Sequence, residues 1–160
     1  MEYQIRPIQR DEIPVLQDFL FEAIFQRDER NPLPREVIEK PEIKVFIEDF
    51  GRKDDLCLVA LAGEKIIGAV WTRILAGPVK GFGNIDGHTP EFAISLYKAY
   101  RGQGIGTRLM LNMLELLREK GYKKASLAVQ KDNYAVKMYR AVGFSVVAET
   151  DEEYIMVCAL

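Results

Sequence analysis

The sequence contains little of what a metal centre or a disulfide framework would need. Its 160 residues include one histidine and two cysteines, Cys57 and Cys158, which lie far apart in apolar, strand-like runs. Such a set cannot build the usual tetrahedral zinc site. The two thiols are instead expected to be buried small hydrophobes. No metal is therefore expected.

An excess of charge of one sign and long apolar runs are also missing. The net charge is −2 at pH 7, which does not indicate affinity for nucleic acid or an anionic membrane. No apolar run approaches the ~20 residues of a membrane-spanning helix, and the first residues lack the apolar segment of a signal peptide. We expect a cytoplasmic protein without a nucleic-acid or membrane partner.

Length and composition favour one globular domain over residues 1–160. Hydrophobic residues make up 48% of the chain and charged residues 29%, which is enough apolar material for a sizeable core. No internal repeat or low-complexity linker divides the chain.

Hydrophobic periodicity predicts an α/β (α+β) architecture with a mixed sheet. Asp11 is expected to cap the first helix, and Pro41 to break or restart the second helical region. Strand, helix and strand in succession from Glu91 to Val129 predict a parallel pair within an otherwise antiparallel sheet. The predicted strands span 3–8, 56–62, 65–74, 91–96, 124–129, 144–149 and 153–160, and the predicted helices span 11–25, 35–50, 105–120 and 134–142.

A glycine-rich loop is the most informative feature of the chain. Gly102, Gly104 and Gly106 lie between the predicted strand 91–96 and the helix that begins near Ile105. Glycine permits positive φ and close approach of a ligand, and a helix N-terminus presents unpaired N–H groups. The loop therefore predicts a cradle for phosphate or pyrophosphate. It is not a Walker loop, because no Lys-Ser/Thr pair follows at the required spacing.

A second glycine-rich segment covers residues 75–90. It contains four glycines, two prolines and the single histidine, His88. This composition predicts a mobile surface loop, and such loops often carry function. We expect the segment to border a substrate pocket and to become ordered when ligands bind.

Three segments between residues 91 and 144 carry a family resemblance. Residues 94–106 contain the pattern Arg/Gln-x-x-Gly-x-Gly/Ala, residues 125–129 form the strand after the helix, and residues 133–144 form a downstream block. Together they resemble the GNAT superfamily of acetyl-CoA-dependent N-acetyltransferases. The resemblance implies a mixed, mostly antiparallel sheet of six to seven strands with a central parallel pair and about four helices. Lys98 stands where many members have proline.

The resemblance also implies where acetyl-CoA binds. Backbone groups of Ile94 and Leu96 would pair with the pantetheine arm as an added strand does. Amides from Gly102 to Thr107 would hold the pyrophosphate, and Asn133 would reach the arm or the adenosine side. The implied cofactor-binding residues are Ile94, Ser95, Leu96, Arg101, Gly102, Gln103, Gly104, Ile105, Gly106, Thr107 and Asn133.

The implied reaction moves an acetyl group to a primary amine by direct attack in a ternary complex. Tyr139 would be the general acid for the departing thiolate; otherwise it is a core aromatic. Glu91 is the candidate base, and the alternative for it is an exposed acid at a strand edge. His88 or water could take the base role instead. Asp86 could contact a cationic substrate.

Two other functions stay open at this stage. One is a non-catalytic acetyl-CoA-binding regulatory module, because a fold and a cofactor site do not guarantee turnover. The other is a nucleotide-binding regulator that uses the same loop. The sequence does not indicate whether the acceptor is a small molecule or a protein amine, and a homodimer also stays open.

Overall fold

A computed structural model describes residues 1–26 and 28–160 of the chain. Within this part, seven strands form one sheet in the order β1-β2-β3-β4-β5-β7-β6. The strands are β1 (Gln4–Pro7), β2 (Leu56–Ala62), β3 (Lys65–Arg73), β4 (Glu91–Leu96), β5 (Lys124–Gln130), β6 (Ser145–Glu149) and β7 (Glu153–Ala159). The α-helices of the described residues are α1 (Leu16–Ala23), α2 (Pro41–Lys44), α3 (Ile105–Glu119) and α4 (Ala135–Ala141).

The sheet is antiparallel except at its centre. β4 and β5 pair in parallel at Glu91 and Ser126, whereas every other neighbouring pair is antiparallel. The predicted mixed sheet with one central parallel pair is therefore confirmed. β3 lies between β2 and β4, as its nearly unbroken apolar run predicts.

Alternating side chains of the sheet pack against a helical layer on each face. On one face, Leu58 and Ala60 join the apolar side of α3. On the other face, Cys57 and Val59 pack with α1. Cys57 and Cys158 are buried free thiols, as expected. No helix of the described residues has the length and apolar character to span a membrane.

The first predicted helix is wrong in its length and its cap. Residues Arg10–Val15 form a 3-10 helix, and α1 starts only at Leu16. Pro14 lies at the transition, where its missing N–H and its ring disfavour a regular α-helix. The Glu12 carboxylate accepts a hydrogen bond from the Gln9 N–H at 2.7 Å, so the N-cap is Gln9 and not Asp11.

The second helical region is interrupted, as Pro41 predicts. Residues Arg35–Glu39 form a 3-10 helix, and Pro41 is the first residue of α2, the helix position that proline tolerates best. The turns after α2 are attached to the sheet by a buried Arg73 guanidinium. It donates to the carbonyls of Val45 and Glu48 at 2.8 Å and pairs with both oxygens of Asp55 at 3.0 Å. This attachment positions the neighbouring Phe46 over the sheet.

Candidate active site

The parallel pair at the centre of the sheet opens into a gap. The N–H of Tyr97 donates to Ile67 on the β3 side at 3.0 Å. The main-chain N–H and C=O groups of successive residues point to opposite edges of a strand. Those of Ile94 and Leu96 therefore face away from β3, towards β5. β5 pairs with β4 only at Glu91, and the Leu96 carbonyl accepts instead from Arg101 Nε at 3.0 Å. The Ile94 groups and the Leu96 N–H therefore form an open strand edge.

The glycine loop presents a row of unpaired N–H groups. Gly102 and Gly104 have φ values of 74° and 84°, and Gly104 is the N-cap of α3. The Gly104 carbonyl accepts from the Arg108 N–H at 3.2 Å. Among the described residues, no backbone or side-chain acceptor faces the N–H groups from Gly102 to Thr107. This arrangement favours an anion, as the loop composition predicts.

The open edge and the glycine loop line one groove of about 740 Å³. We call it the long groove; its far wall comes from residues 21–26 at the end of α1. Of the predicted cofactor-binding residues, Gln103 and Ile105 do not line it: Gln103 is exposed, and the Ile105 side chain is buried in the core. The predicted residues that line the groove are Ile94, Ser95, Leu96, Arg101, Gly102, Gly104, Gly106, Thr107 and Asn133.

Three of these residues use their side chains to hold the scaffold. Ser95 Oγ donates to the Phe19 carbonyl at 2.6 Å. Arg101 Nη2 pairs with Glu22 at 2.9 Å, which ties the glycine loop to α1. Asn133 Oδ1 accepts from the Ala135 N–H at 2.9 Å, at the start of α4. These three side chains hold the walls of the groove in place by bonding to other parts of the protein. The polar groups left for a ligand are therefore mainly main-chain groups.

A second cavity of about 340 Å³ adjoins the groove. We call it the apolar cavity, because its walls include Leu20, Phe46, Phe82 and Val129. The residues that line both spaces are Ala23, Ile24, Phe25, Ile94, Asn133 and Tyr139. The two spaces therefore meet beside Tyr139 and the open edge of β4.

Tyr139 lies on α4 at this junction. Its ring packs edge-on against Phe144, with 6.3 Å between the ring centroids. Burial raises the pKa of the Tyr139 hydroxyl well above its usual range, and nearby Tyr134 adds to the rise. The hydroxyl is therefore protonated at neutral pH, which is the form that can donate a proton.

Glu91 also lines the apolar cavity and is only 2% exposed. Its Oε2 accepts from the Gly83 N–H at 2.9 Å, and its Oε1 has no partner in the described part of the chain. Burial raises the Glu91 pKa to about 7; the Gly83 N–H opposes this rise, and the negative charge of Glu153 adds to it. The structure thus contradicts the reading of Glu91 as an exposed strand-edge acid.

The other two candidates, His88 and Asp86, line neither space. His88 is exposed, and its N–H donates to Asp86 Oδ1 at 2.8 Å. That bond, with further help from Thr89 and Lys124, lowers the Asp86 pKa to about 2. Asp86 also lies 3.4 Å from Lys124 Nζ. The His88 N–H therefore bonds within its own loop, whereas Asp86 also ties that loop to the start of β5.

The loop over residues 75–90 is packed against the sheet. A Cβ added at Gly83 would lie 2.6 Å from the Leu127 carbonyl carbon, and one at Gly81 would lie 2.0 Å from Glu91 Oε1. Gly83 is required by this approach to backbone atoms, whereas the obstacle at Gly81 is the carboxylate end of the Glu91 side chain. Of this loop only Phe82 lines the apolar cavity, stacked 6.1 Å from Phe46. Ordering of the loop on ligand binding stays a prediction.

Sequence reasoning missed Phe46, Phe82 and Glu153 as cavity residues. They lie on three separate segments, and no local pattern links them. In the described part of the chain, no three His, Cys, Asp or Glu side chains are placed to hold a metal ion.

Comparison with protein families gives a match over most of the chain. A model described as the acetyltransferase (GNAT) family matches residues 21–144. Mycothiol acetyltransferase from Corynebacterium glutamicum (strain R) is 33% identical over 99 residues, which cover 59% of this chain and 30% of the relative. The enzyme of the same name from Corynebacterium aurimucosum is 35% identical over 80 residues, which cover 49% of this chain and 24% of the relative. The chain thus spans about a third or less of these relatives.

Solved structures match the whole fold at low sequence identity. The PaiA N-acetyltransferase from Thermoplasma acidophilum, solved in complex with coenzyme A, superposes with a TM-score of 0.72 at 20% identity, over 100% of both chains. The GNAT domain of S. lividans PAT gives a TM-score of 0.71 at 19% identity, over 99% of this chain and 90% of the other. At these identities the likeness establishes the fold alone.

Proposed function

The chain belongs to the GNAT family of acetyltransferases, and from this premise we propose that it moves an acetyl group from acetyl-CoA to a primary amine. The transfer is a direct attack in a ternary complex. The observation that carries the proposal is the meeting of the long groove and the apolar cavity at Tyr139. One space fits the donor and the other fits the acceptor, so both reactants can be bound at once.

The long groove has the chemistry that coenzyme A requires. The N–H groups from Gly102 to Thr107 would hold the pyrophosphate at the positive end of α3. The open edge at Ile94 would pair with the amides of the pantetheine arm, as an added strand does. The volume of about 740 Å³ lies within the ~300–1,000 Å³ range of ligand pockets.

Acetyl-CoA supplies an activated thioester carbonyl, and the protein supplies orientation and proton transfer. The amine forms a C–N bond while the C–S bond breaks, and the sulfur leaves with the bonding electrons. Tyr139 donates a proton to that sulfur, and its raised pKa supports this role because it keeps the hydroxyl in the donor form. The remaining amine proton restores the Tyr139 hydroxyl.

Glu91 is the base that makes the amine reactive. An alkylammonium has a pKa near ~10, so nearly all of it is protonated at neutral pH. With a pKa of about 7, Glu91 is about half ionised at pH 7 and is a much stronger base than an ordinary carboxyl. It accepts one proton from the ammonium and passes it to solvent. The net reaction releases one proton for each acetyl group transferred.

The proposal has three further parts. Residues 1–160 act as a single acetyltransferase domain, the protein works in the cytoplasm, and its partner is an amine acceptor. The matched relatives are named mycothiol acetyltransferases. For this chain the acceptor is argued separately below, because the chain covers only a minor part of those relatives.

A thiol-release assay tests the proposal. The protein is incubated with acetyl-CoA and a panel of primary amines, free CoA is measured with a thiol reagent, and the acetylated product is identified by mass spectrometry. Amine-dependent CoA release that falls in Tyr139→Phe is expected. Tight CoA binding without release for any amine would favour the non-catalytic module instead, and equal competition by ATP would favour a nucleotide-binding regulator.

A further inference from the structure

We propose that the acceptor is a small primary amine with a compact apolar body, received with its nitrogen between Glu91 and Glu153. This inference rests on the proposed acetyl transfer and deepens it by naming the substrate class. The observations are the walls of the apolar cavity, its two carboxylates and its size.

The walls favour an apolar body. The cavity is lined by the apolar side chains of Leu20, Ile43, Phe46, Phe82, Leu127 and Val129. The Phe46 and Phe82 rings stack with 6.1 Å between their centroids. A hydrophilic body would lose its water against these six apolar side chains, which offer it no hydrogen bonds, and this costs free energy for each unpaired polar group. An aromatic or branched aliphatic body would gain from burial against these walls.

A pair of carboxylates interrupts these walls, beside the polar side chains of Gln130, Asn133 and Tyr139. Glu91 starts β4 and Glu153 starts β7, and the charge of Glu153 acts on Glu91. Glu91 Oε1 is buried without a partner in the described part of the chain, and no described basic side chain pairs with Glu153. A buried carboxylate without a counter-charge is unfavourable. The ammonium of an incoming amine supplies that charge, and a substrate carboxylate would be repelled.

The size of the cavity sets a limit on the acceptor. At about 340 Å³ it lies at the low end of the ~300–1,000 Å³ range for small-molecule sites, and the acetyl group also needs room. This space fits one ring or a short branched chain beside the amine nitrogen. This size favours a small acceptor over a folded protein segment.

A matched series of acceptors tests the substrate class. 2-Phenylethylamine has the expected body and charge, and phenylalanine adds only a carboxylate. Spermidine is a hydrophilic polycation, and a lysine-containing peptide represents protein acceptors. We expect kcat/KM for 2-phenylethylamine to exceed each of the other three by at least ~10-fold. A preference for spermidine, phenylalanine or the peptide would overturn the inference and leave acetyl transfer itself intact.

A pair of neighbouring variants tests the role of the second carboxylate. Glu153→Gln removes the charge at the cavity, whereas Glu152→Gln removes an exposed charge next to it. We expect the first to raise KM for 2-phenylethylamine by about 10-fold without changing the Kd for CoA, and the second to match wild type. Equal effects of the two variants would overturn the inference.

A binding measurement separates failure of this inference from failure of the proposed reaction. 2-Phenylethylamine is titrated calorimetrically into the CoA-loaded protein, with phenylalanine as the matched control. Selective binding that Glu153→Gln weakens supports the acceptor class even where no turnover occurs. If no amine of the panel releases CoA, acetyl transfer fails; if 2-phenylethylamine binds no better than phenylalanine, the acceptor class fails.

Discussion

The carboxylate of Glu91 accepts a hydrogen bond from the Gly83 N–H at 2.9 Å, which joins the start of β4 to the loop over residues 75–90. The same carboxylate lines the apolar cavity with its other oxygen unpartnered among the described residues. This contact therefore holds the loop against β4, and it moderates the rise of the Glu91 pKa that burial causes.

Glu91→Gln should remove the base while keeping the shape of the side chain. We expect kcat/KM of the wild-type protein to rise with pH through about 7, where Glu91 ionises. In the variant, the rise of kcat/KM through pH 7 should disappear, and only the rise from ionisation of the free amine near ~10 should remain. A profile that still rises through 7 in the variant would assign the base role to water.

The same variant should be more stable than wild type at neutral and higher pH. The folded-state pKa of Glu91 is raised from 4.5 to about 7, so the folded protein holds the proton more tightly than the unfolded chain. The ionised carboxylate therefore destabilises the fold, and the penalty grows as pH rises from about 4.5 to about 7. Glu91→Gln should gain about 1–3 kcal/mol at pH 8 and almost nothing at pH 4, measured by urea unfolding.

Tyr139→Phe should slow the chemical step while the ring packing is kept. Loss of a positioned acid should lower the single-turnover rate by roughly 10²-fold, with little change in CoA affinity or thermal stability. Rapid-quench measurement is preferred, since product release can hide the effect in kcat. A single-turnover rate within about twofold of wild type would return Tyr139 to a packing role.

Gly104→Val should weaken CoA binding by at least ~10-fold, or about 1.4 kcal/mol. Gly104 has φ of +84°, and its side-chain position is open towards the long groove, where a ligand must approach the backbone. Gly121→Val is the matched control: Gly121 follows the other end of α3 with φ of +89° and equally open surroundings. Both variants carry similar backbone strain, but only the first should change the Kd for CoA in calorimetry.

Gly83→Ala should displace the loop and alter Glu91. Its Cβ would meet β5 backbone at 2.6 Å, which we expect to cost about 1–3 kcal/mol of stability. Loss of the hydrogen bond from the Gly83 N–H should raise the Glu91 pKa further, so the rise of kcat/KM with pH should move to higher pH. Gly87→Ala, with nothing within 4 Å of the added Cβ, should match wild type in both measurements. Hydrogen exchange of residues 75–90 would show the loosened loop directly.

Local patterns predicted most of the elements but misjudged the first helix. The apolar runs of β2 and β3 and the apolar face of α3 are dictated by burial, which the local hydrophobic pattern reports. Pro14 interrupts the α-helix but leaves the apolar spacing of the sequence intact, since a 3-10 turn also keeps residues three apart on the same side. The periodic signal therefore continued where the α-helix did not.

The amino-acid sequence by itself determined the glycine loop at the head of α3, the buried free thiols and the family. In each case the signal is carried by residues that are close in sequence. Only the tertiary structure brought Glu91, Glu153, Phe46 and Phe82 to one cavity, and only burial there raised the Glu91 pKa to about 7. Basicity depends on solvent exclusion by distant segments, and no local pattern records which segments those are.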